Sequence, residues 1–233
     1  MIVSDKYVFI HLQKTGGTYL SDFLCNYGKG KHVGGKHATI NHILPKDNNK
    51  LKFAVIRNPY DWYVSHYHFQ MQNNGHLINH LNRPQTFGEY LNVLFRYDNK
   101  RKKLFKKELP KIDYENFVNL EIGMLTYRYI NFFCSDFENV LNTSTKKTLV
   151  KNIENNLSID KVIKLENLCE DVSELFNKLD INLNDIGREE ICSGKKSNTS
   201  KHKNYVEYYK NNDLCNIITS RDSYLIDKYG YKL

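Results

Sequence analysis

YVFIHLQKTGGTYL, residues 7–20, joins a short apolar run to a helix-like pattern through Gln-Lys-Thr-Gly-Gly-Thr. "KYVFIHL" (6–12) is rich in β-formers and continuous enough to be a strand buried on both faces. After Gly16 and Gly17, Tyr19, Leu20, Phe23 and Leu24 recur at helical spacing, with Thr18 near the helix start. A loop before a helix directs unpaired N–H groups and the positive end of the helix dipole at one spot. Two glycines let a ligand approach the backbone, Lys14 adds a charge, and Thr15 and Thr18 add hydroxyls. The pattern predicts an anion site. It is not the NTPase loop G-x-x-x-x-G-K-[ST], because the lysine precedes the glycines and residues 9–13 contain none.

Working outward, "LKFAVIR" (51–57) reads as a second buried strand, and Asn58-Pro59 opens "YDWYVSHYHFQMQ" as a helix with proline in its first turn. "KVIKLENL" (161–168) reads as a third strand, followed by the helix "CEDVSELFNKLDI". "GKGKHVGGKHATINHIL" (28–44) is a connection whose tail forms a short helix capped by Thr39 or Asn41. "ENFVNLEIGMLTYRYINFF" (115–133) reads as helical, and helical patterns at 204–212 and 213–229 close the chain. Strand and helix alternate, which is the grammar of a parallel sheet in an α/β domain with helices on both faces. At 233 residues, one domain (1–233) with a polar, substrate-selecting insertion at about 73–113 accounts for the chain.

Composition narrows the partners. Thirty-four Lys and Arg against 26 Asp and Glu give a net charge of +8, which favours an anionic ligand. Five widely spaced cysteines without a CxxC pair suggest neither a zinc site nor a disulfide framework, so free thiols in a reducing compartment are expected. No window approaches the ~18 apolar residues of a membrane helix, and no signal peptide is visible. A cytoplasmic location is the expectation.

"FIHLQKTGGTYL" and "FAVIRNPYDWYVSHY" (53–67) together resemble the two cofactor motifs of sulfotransferases that use 3′-phosphoadenosine 5′-phosphosulfate (PAPS), in particular the carbohydrate and heparan 2-O branch. The first resembles the 5′-phosphosulfate loop "IHxPKTGGT", with Gln13 in place of proline. The second resembles "NPxDRxVSxY", with Trp62 in place of arginine, a departure expected to affect surface packing. Softer resemblance covers "IKLENLCEDVSELFNKLDI" and residues 198–233, while 73–160 match poorly. The resemblance implies a P-loop-NTPase-like sulfotransferase fold, PAPS as donor and PAP as product, with no metal. It implies cofactor binding by Lys14, Thr15, Gly16, Gly17, Thr18, Arg57 and Ser65, with Ser200 and Lys201 as candidates in the 195–203 loop. Glu166, Tyr208, Asp222 and Tyr229 read as architectural.

The implied reaction is in-line transfer of a sulfuryl group to a hydroxyl, with a carbohydrate as the expected acceptor and no nucleic acid. Lys14 would stabilise the leaving phosphate, by analogy with phosphoryl transfer. A histidine suits the general base. The resemblance favours His37 in "GGKHATI"; His42, His66, His68, Glu89 and Glu108 are alternatives. Two other function classes fit parts of the sequence: a small-molecule or nucleotide kinase, and a non-catalytic polyanion-binding module motivated by "NKRKKLFKK" (99–107). No motif selects an acceptor or an oligomeric state.

Overall fold

The computed structural model describes residues 1–72, 84, 86–193, 203–210 and 212–233, apart from the side chains of 100, 101 and 104. The chain divides into two compact units: Met1–Asn58 with Phe132–Ser135 and Ser158–Thr199, and Pro59–Asn131 with Asp136–Leu157 and Ser200–Leu233.

The first unit holds a five-stranded sheet, in the order β3-β1-β2-β4-β5. Its strands are β1 (Ile2–Val3), β2 (Tyr7–Ile10), β3 (Lys31–His32), β4 (Leu51–Ile56) and β5 (Lys161–Lys164). The three strands read from sequence are present and parallel: Phe9 pairs with Phe53, and Ala54 with Val162. The expected all-parallel sheet is corrected to a mixed one, because β1 runs antiparallel to both β2 and β3. Strands of two residues leave no alternation for a sequence pattern to register. β2 is buried throughout, as its unbroken apolar run requires.

Helix α1 (Gly17–Tyr27) follows β2 and buries Leu20, Phe23 and Leu24. "KVIKLENL" is strand only to Lys164; a 3-10 turn, Leu165–Asn167, follows it. Further along this unit lie the helices Leu168–Lys178 and Asp185–Cys192. Phe9, Phe23, Phe53 and Phe176 centre the core, each fully buried. The expectation of free thiols is corrected at one pair. Cys169 and Cys192, Cα atoms 4.8 Å apart, form a disulfide joining the start of one of these helices to the end of the other. Their 23-residue separation, across a turn that folds the two helices together, carries no sequence signature.

The second unit is helical among its described residues. Helix α2 (Pro59–Gln72) buries Trp62 and Tyr63 completely. Trp62 stacks on His66 at 4.8 Å with the Arg128 guanidinium 5.5 Å from its ring, so the residue expected at the surface is a core residue. α3 (Phe87–Leu94) lies in the region read as an insertion, where residues 73–83 and 85 lie outside the described residues. In α4 (Asn99–Glu108), Phe105 packs on Tyr114 and Phe117, leaving Lys103, Lys106 and Lys107 exposed.

The helix expected over 115–133 is two, α5 (Tyr114–Leu120) and α6 (Met124–Phe133). Glu121 turns left-handed at φ 52°, and a Cβ on Gly123 would fall 2.1 Å from Asp222 Oδ2. The Asp222 carboxylate, fully buried, takes hydrogen bonds from Tyr63 Oη (2.7 Å), Thr126 N (2.8 Å) and Thr126 Oγ1 (2.7 Å). The pattern at 213–229 is likewise two helices, Asn212–Arg221 and Ser223–Tyr229, parted at Asp222. α7 (Phe137–Thr143) and α8 (Leu149–Asn156) complete the middle of the chain. In chain order the four remaining helices are α9 (Leu168–Lys178), α10 (Asp185–Cys192), α11 (Asn212–Arg221) and α12 (Ser223–Tyr229). Among the described residues no helix is long and apolar enough to cross a membrane.

Candidate anion site at the strand ends

Because β1 is antiparallel to both of its neighbours, β3 runs in the same direction as β2. The carboxyl ends of β2, β3, β4 and β5 therefore emerge at one end of the sheet, where open α/β sheets bind ligands. Four segments leave there: His11–Gly17, Val33–His37, Arg57–Asn58 and Leu165–Asn167.

The first loop is shaped from within. Thr15, fully buried, donates its hydroxyl proton to Leu12 O at 2.8 Å, so its side chain holds the loop rather than offering that donor outward. Lys14 sits in the left-handed region at φ 64° and Gly16 at φ 75°. A non-glycine residue there costs roughly 1 kcal/mol or more, and such strain concentrates at functional sites. Gly16 caps α1, and Gly17 and Thr18 form its first turn. A Cβ on Gly17 would meet His11 Cδ2 at 2.1 Å, so the imidazole lies directly on the bare Cα.

Two cations meet at this loop. Arg57, leaving β4, brings Nη1 within 3.4 Å of Lys14 O. Burial, and then the Arg57 guanidinium, push the Lys14 ammonium down to about 8. Like charges held together in a partly desolvated place make a site whose electrostatics favour an anion. The β5 end braces the loops from beneath: Leu165 Cδ1 would lie 2.6 Å from a Cβ on Gly16, and Glu166 Oε1 accepts from Asn58 N at 2.7 Å.

His37 reaches the same end of the sheet from β3. Its Nδ1 donates to His11 O at 3.0 Å, and the two rings meet edge to face with centroids 4.7 Å apart. That hydrogen bond selects the tautomer with the lone pair on Nε2, as a proton acceptor requires. His11 is 3% exposed, and burial, then His37 and Lys36, hold its pKa down to about 3, so it stays neutral. Its Nδ1 is buried with no hydrogen-bond partner among the described residues.

The alternative bases fall elsewhere. His42 Nδ1 accepts from Thr39 N at 3.2 Å and lies 2.9 Å from its hydroxyl, closing a capping box on the 3-10 helix Ile40–His42, the short helix expected there. In the second unit, His66 is a core residue bonded to Tyr90 Oη. His68 Nε2 shares a 2.7 Å hydrogen bond with Tyr208 Oη. Glu89 and Glu108 are exposed on α3 and α4. Ser65 lies buried in α2, in the second unit, whereas Lys14, Thr15, Gly16, Gly17, Thr18, Arg57 and His37 share the first. Ser200 and Lys201 lie outside the described residues. His11 reads from the sequence as a strand-end residue that helps to hold the loop, and its ring lies on Gly17, whereas the "KLEN" turn carries no sign that Leu165 packs on Gly16. In comparisons with known proteins, no family model, curated protein or solved structure matches the chain.

Proposed function

We propose that this protein is a sulfotransferase that moves the sulfuryl group of PAPS to a hydroxyl acceptor, with a carbohydrate as the expected acceptor class. The observation that carries the reading is the meeting of Lys14 and Arg57, from the ends of parallel β2 and β4, at the Gly16-Gly17 start of α1. A donor that carries phosphates on both the 3′ and the 5′ position of one ribose suits two cationic loops set side by side. The resemblance of both loops to the PAPS motifs supports the same donor.

In this reading the first N–H groups of α1 and the Lys14 ammonium carry the charge that collects on the 5′-phosphate as the S–O bond breaks. Arg57 grips the 3′-phosphate through its planar fork. His37 Nε2 takes the proton of the acceptor hydroxyl as the new O–S bond forms, while its Nδ1–H stays on His11 O. The products are PAP and a sulfate ester.

Calorimetric titration with PAP, and transfer of labelled sulfate from PAPS across a panel of glycans and phenols, test this. PAP binds the wild type, Arg57→Ala loses most of that affinity, and His37→Ala keeps PAP binding while turnover disappears. Magnesium-dependent ATP hydrolysis without PAP binding would mean a kinase instead. Exposed Lys103, Lys106 and Lys107 on α4 favour a second reading, a polyanion-binding module. Salt-sensitive polyanion binding that survives Lys14→Ala and Arg57→Ala, in a chain that ignores PAP, selects it.

A further inference from the structure

We propose that Glu166 is a positioning residue for this anion site, its carboxylate fixing the backbone one residue beyond Arg57 so that the guanidinium stays on the Lys14 loop. The inference rests on the PAPS reading for its ligand, but its geometry stands on the first unit alone.

β4 ends at Ile56 and α2 begins at Pro59, so Asn58 belongs to neither ladder. Its N–H falls where strand pairing has stopped and before helical hydrogen bonds begin, and Asn58 is 7% exposed, which removes water as a ready partner. Pro59 has no N–H to share the task. Glu166 Oε1 supplies the acceptor at 2.7 Å, the short distance of a charge-assisted bond. Glu166 itself is exposed, so its carboxylate is brought to Asn58 by the turn that carries it.

That turn is held in place on both sides. Asp171 Oδ2, one turn into α9, accepts from Lys164 N at 3.3 Å. Leu165, the residue beside Glu166, packs its Cδ1 on Gly16. Consecutive residues of one 3-10 turn thus touch both loops: Leu165 the glycine that caps α1, Glu166 the amide that follows Arg57. With the carboxylate gone, a buried N–H must find another acceptor, and the 57–58 backbone moves toward solvent to do so. Arg57 Nη1, 3.4 Å from Lys14 O, moves with it.

The test uses the full chain and two readouts, PAP affinity by calorimetry and amide hydrogen exchange at Asn58 without ligand. Glu166→Ala should weaken PAP binding roughly tenfold or more and accelerate Asn58 exchange by a similar factor. Glu166→Gln, which keeps an oxygen at the same reach, should restore both to within about threefold. Glu166→Asp keeps the charge but withdraws the oxygen by one methylene, and should resemble Ala. Should Glu166→Ala prove unable to fold, the Gln and Asp pair decides by the same comparison. Unchanged Asn58 exchange in the Ala or Asp variant overturns the proposal, as does a Gln variant as impaired as Asp. A wild-type chain that does not bind PAP overturns the sulfotransferase reading instead, and the exchange data then judge Glu166 separately.

Discussion

Replacing Lys14 by Met removes a charge that the apo protein holds at a cost. The ammonium is pushed down from 10.5 to about 8 by burial and the adjacent Arg57. Taken at face value that displacement is worth roughly 3 kcal/mol against the folded state. The group is only partly desolvated, and solvent screening brings the figure to on the order of 1–2 kcal/mol. The direction with pH follows from linkage. Below pH 8 the lysine is protonated both folded and unfolded, and the penalty is present in full. Between pH 8 and about 10.5 the unfolded chain holds the proton that the folded chain has released, so stability rises with pH. Lys14→Met should therefore be more stable than wild type at pH 7, by on the order of 1–2 kcal/mol, and the gap should close by about pH 10. Denaturant unfolding of both proteins at pH 7, 8, 9 and 10 reads the difference, in which the titration of tyrosines and other lysines cancels. The same variant should lose PAP affinity by at least about tenfold, through loss of a charge-assisted contact. A Lys14→Met protein less stable than wild type at pH 7, or a difference that does not change with pH, would refute the electrostatic account of the loop.

Gly17→Ala would ordinarily favour a helix start by about 0.5–1 kcal/mol. Here its Cβ would meet the buried His11 ring, 2.1 Å from Cδ2 and 2.4 Å from Nε2, and overpacking of about 1–3 kcal/mol should make the variant net less stable in urea. Asp222→Ala strips three hydrogen bonds from a buried carboxylate joining Tyr63 to Thr126. A loss of about 3 kcal/mol or more is expected by denaturation, with the α5–α6 junction the first region to exchange its amides. Removing the Cys169–Cys192 bond by double substitution to Ser frees a chain segment of separation 23 and should cost on the order of 3 kcal/mol, with a dithiol reductant lowering the melting temperature of wild type alone.

The parts of the fold legible in the sequence were those that repeat a pattern. β2, β4 and β5 show as apolar runs, α1 as a helix after two glycines, and the Thr39 cap as a short polar signal before Ile40. β1 and β3 are too short to show any period, yet they decide the site: without β1 between them, β3 would not run with β2, and His37 would not reach His11. The second unit was misread where polar groups turn inward. Gly123 and Asp222 each break an apparently continuous helical pattern because the carboxylate occupies the space a side chain at 123 would need. Trp62 illustrates the same limit from the other side: it follows Asp61, and its partners, His66 and Arg128, arrive from helical spacing and from a distant helix. That Lys14, Gly16, Gly17 and Arg57 come together at one end of the sheet was legible because two loops, each following a buried strand of a parallel pair, must emerge side by side. Glu166 reads as architectural from the resemblance, but neither its Asn58 partner nor the packing of Leu165 on Gly16 is written in residue type.

Soaking crystals of the chain with PAP tests the central claim most directly. The account predicts the 5′-phosphate against the N–H groups of Gly16, Gly17 and Thr18 with Lys14 Nζ on its oxygens, and the 3′-phosphate on the Arg57 guanidinium. PAP bound away from both loops, or both loops empty at saturating PAP, would contradict it.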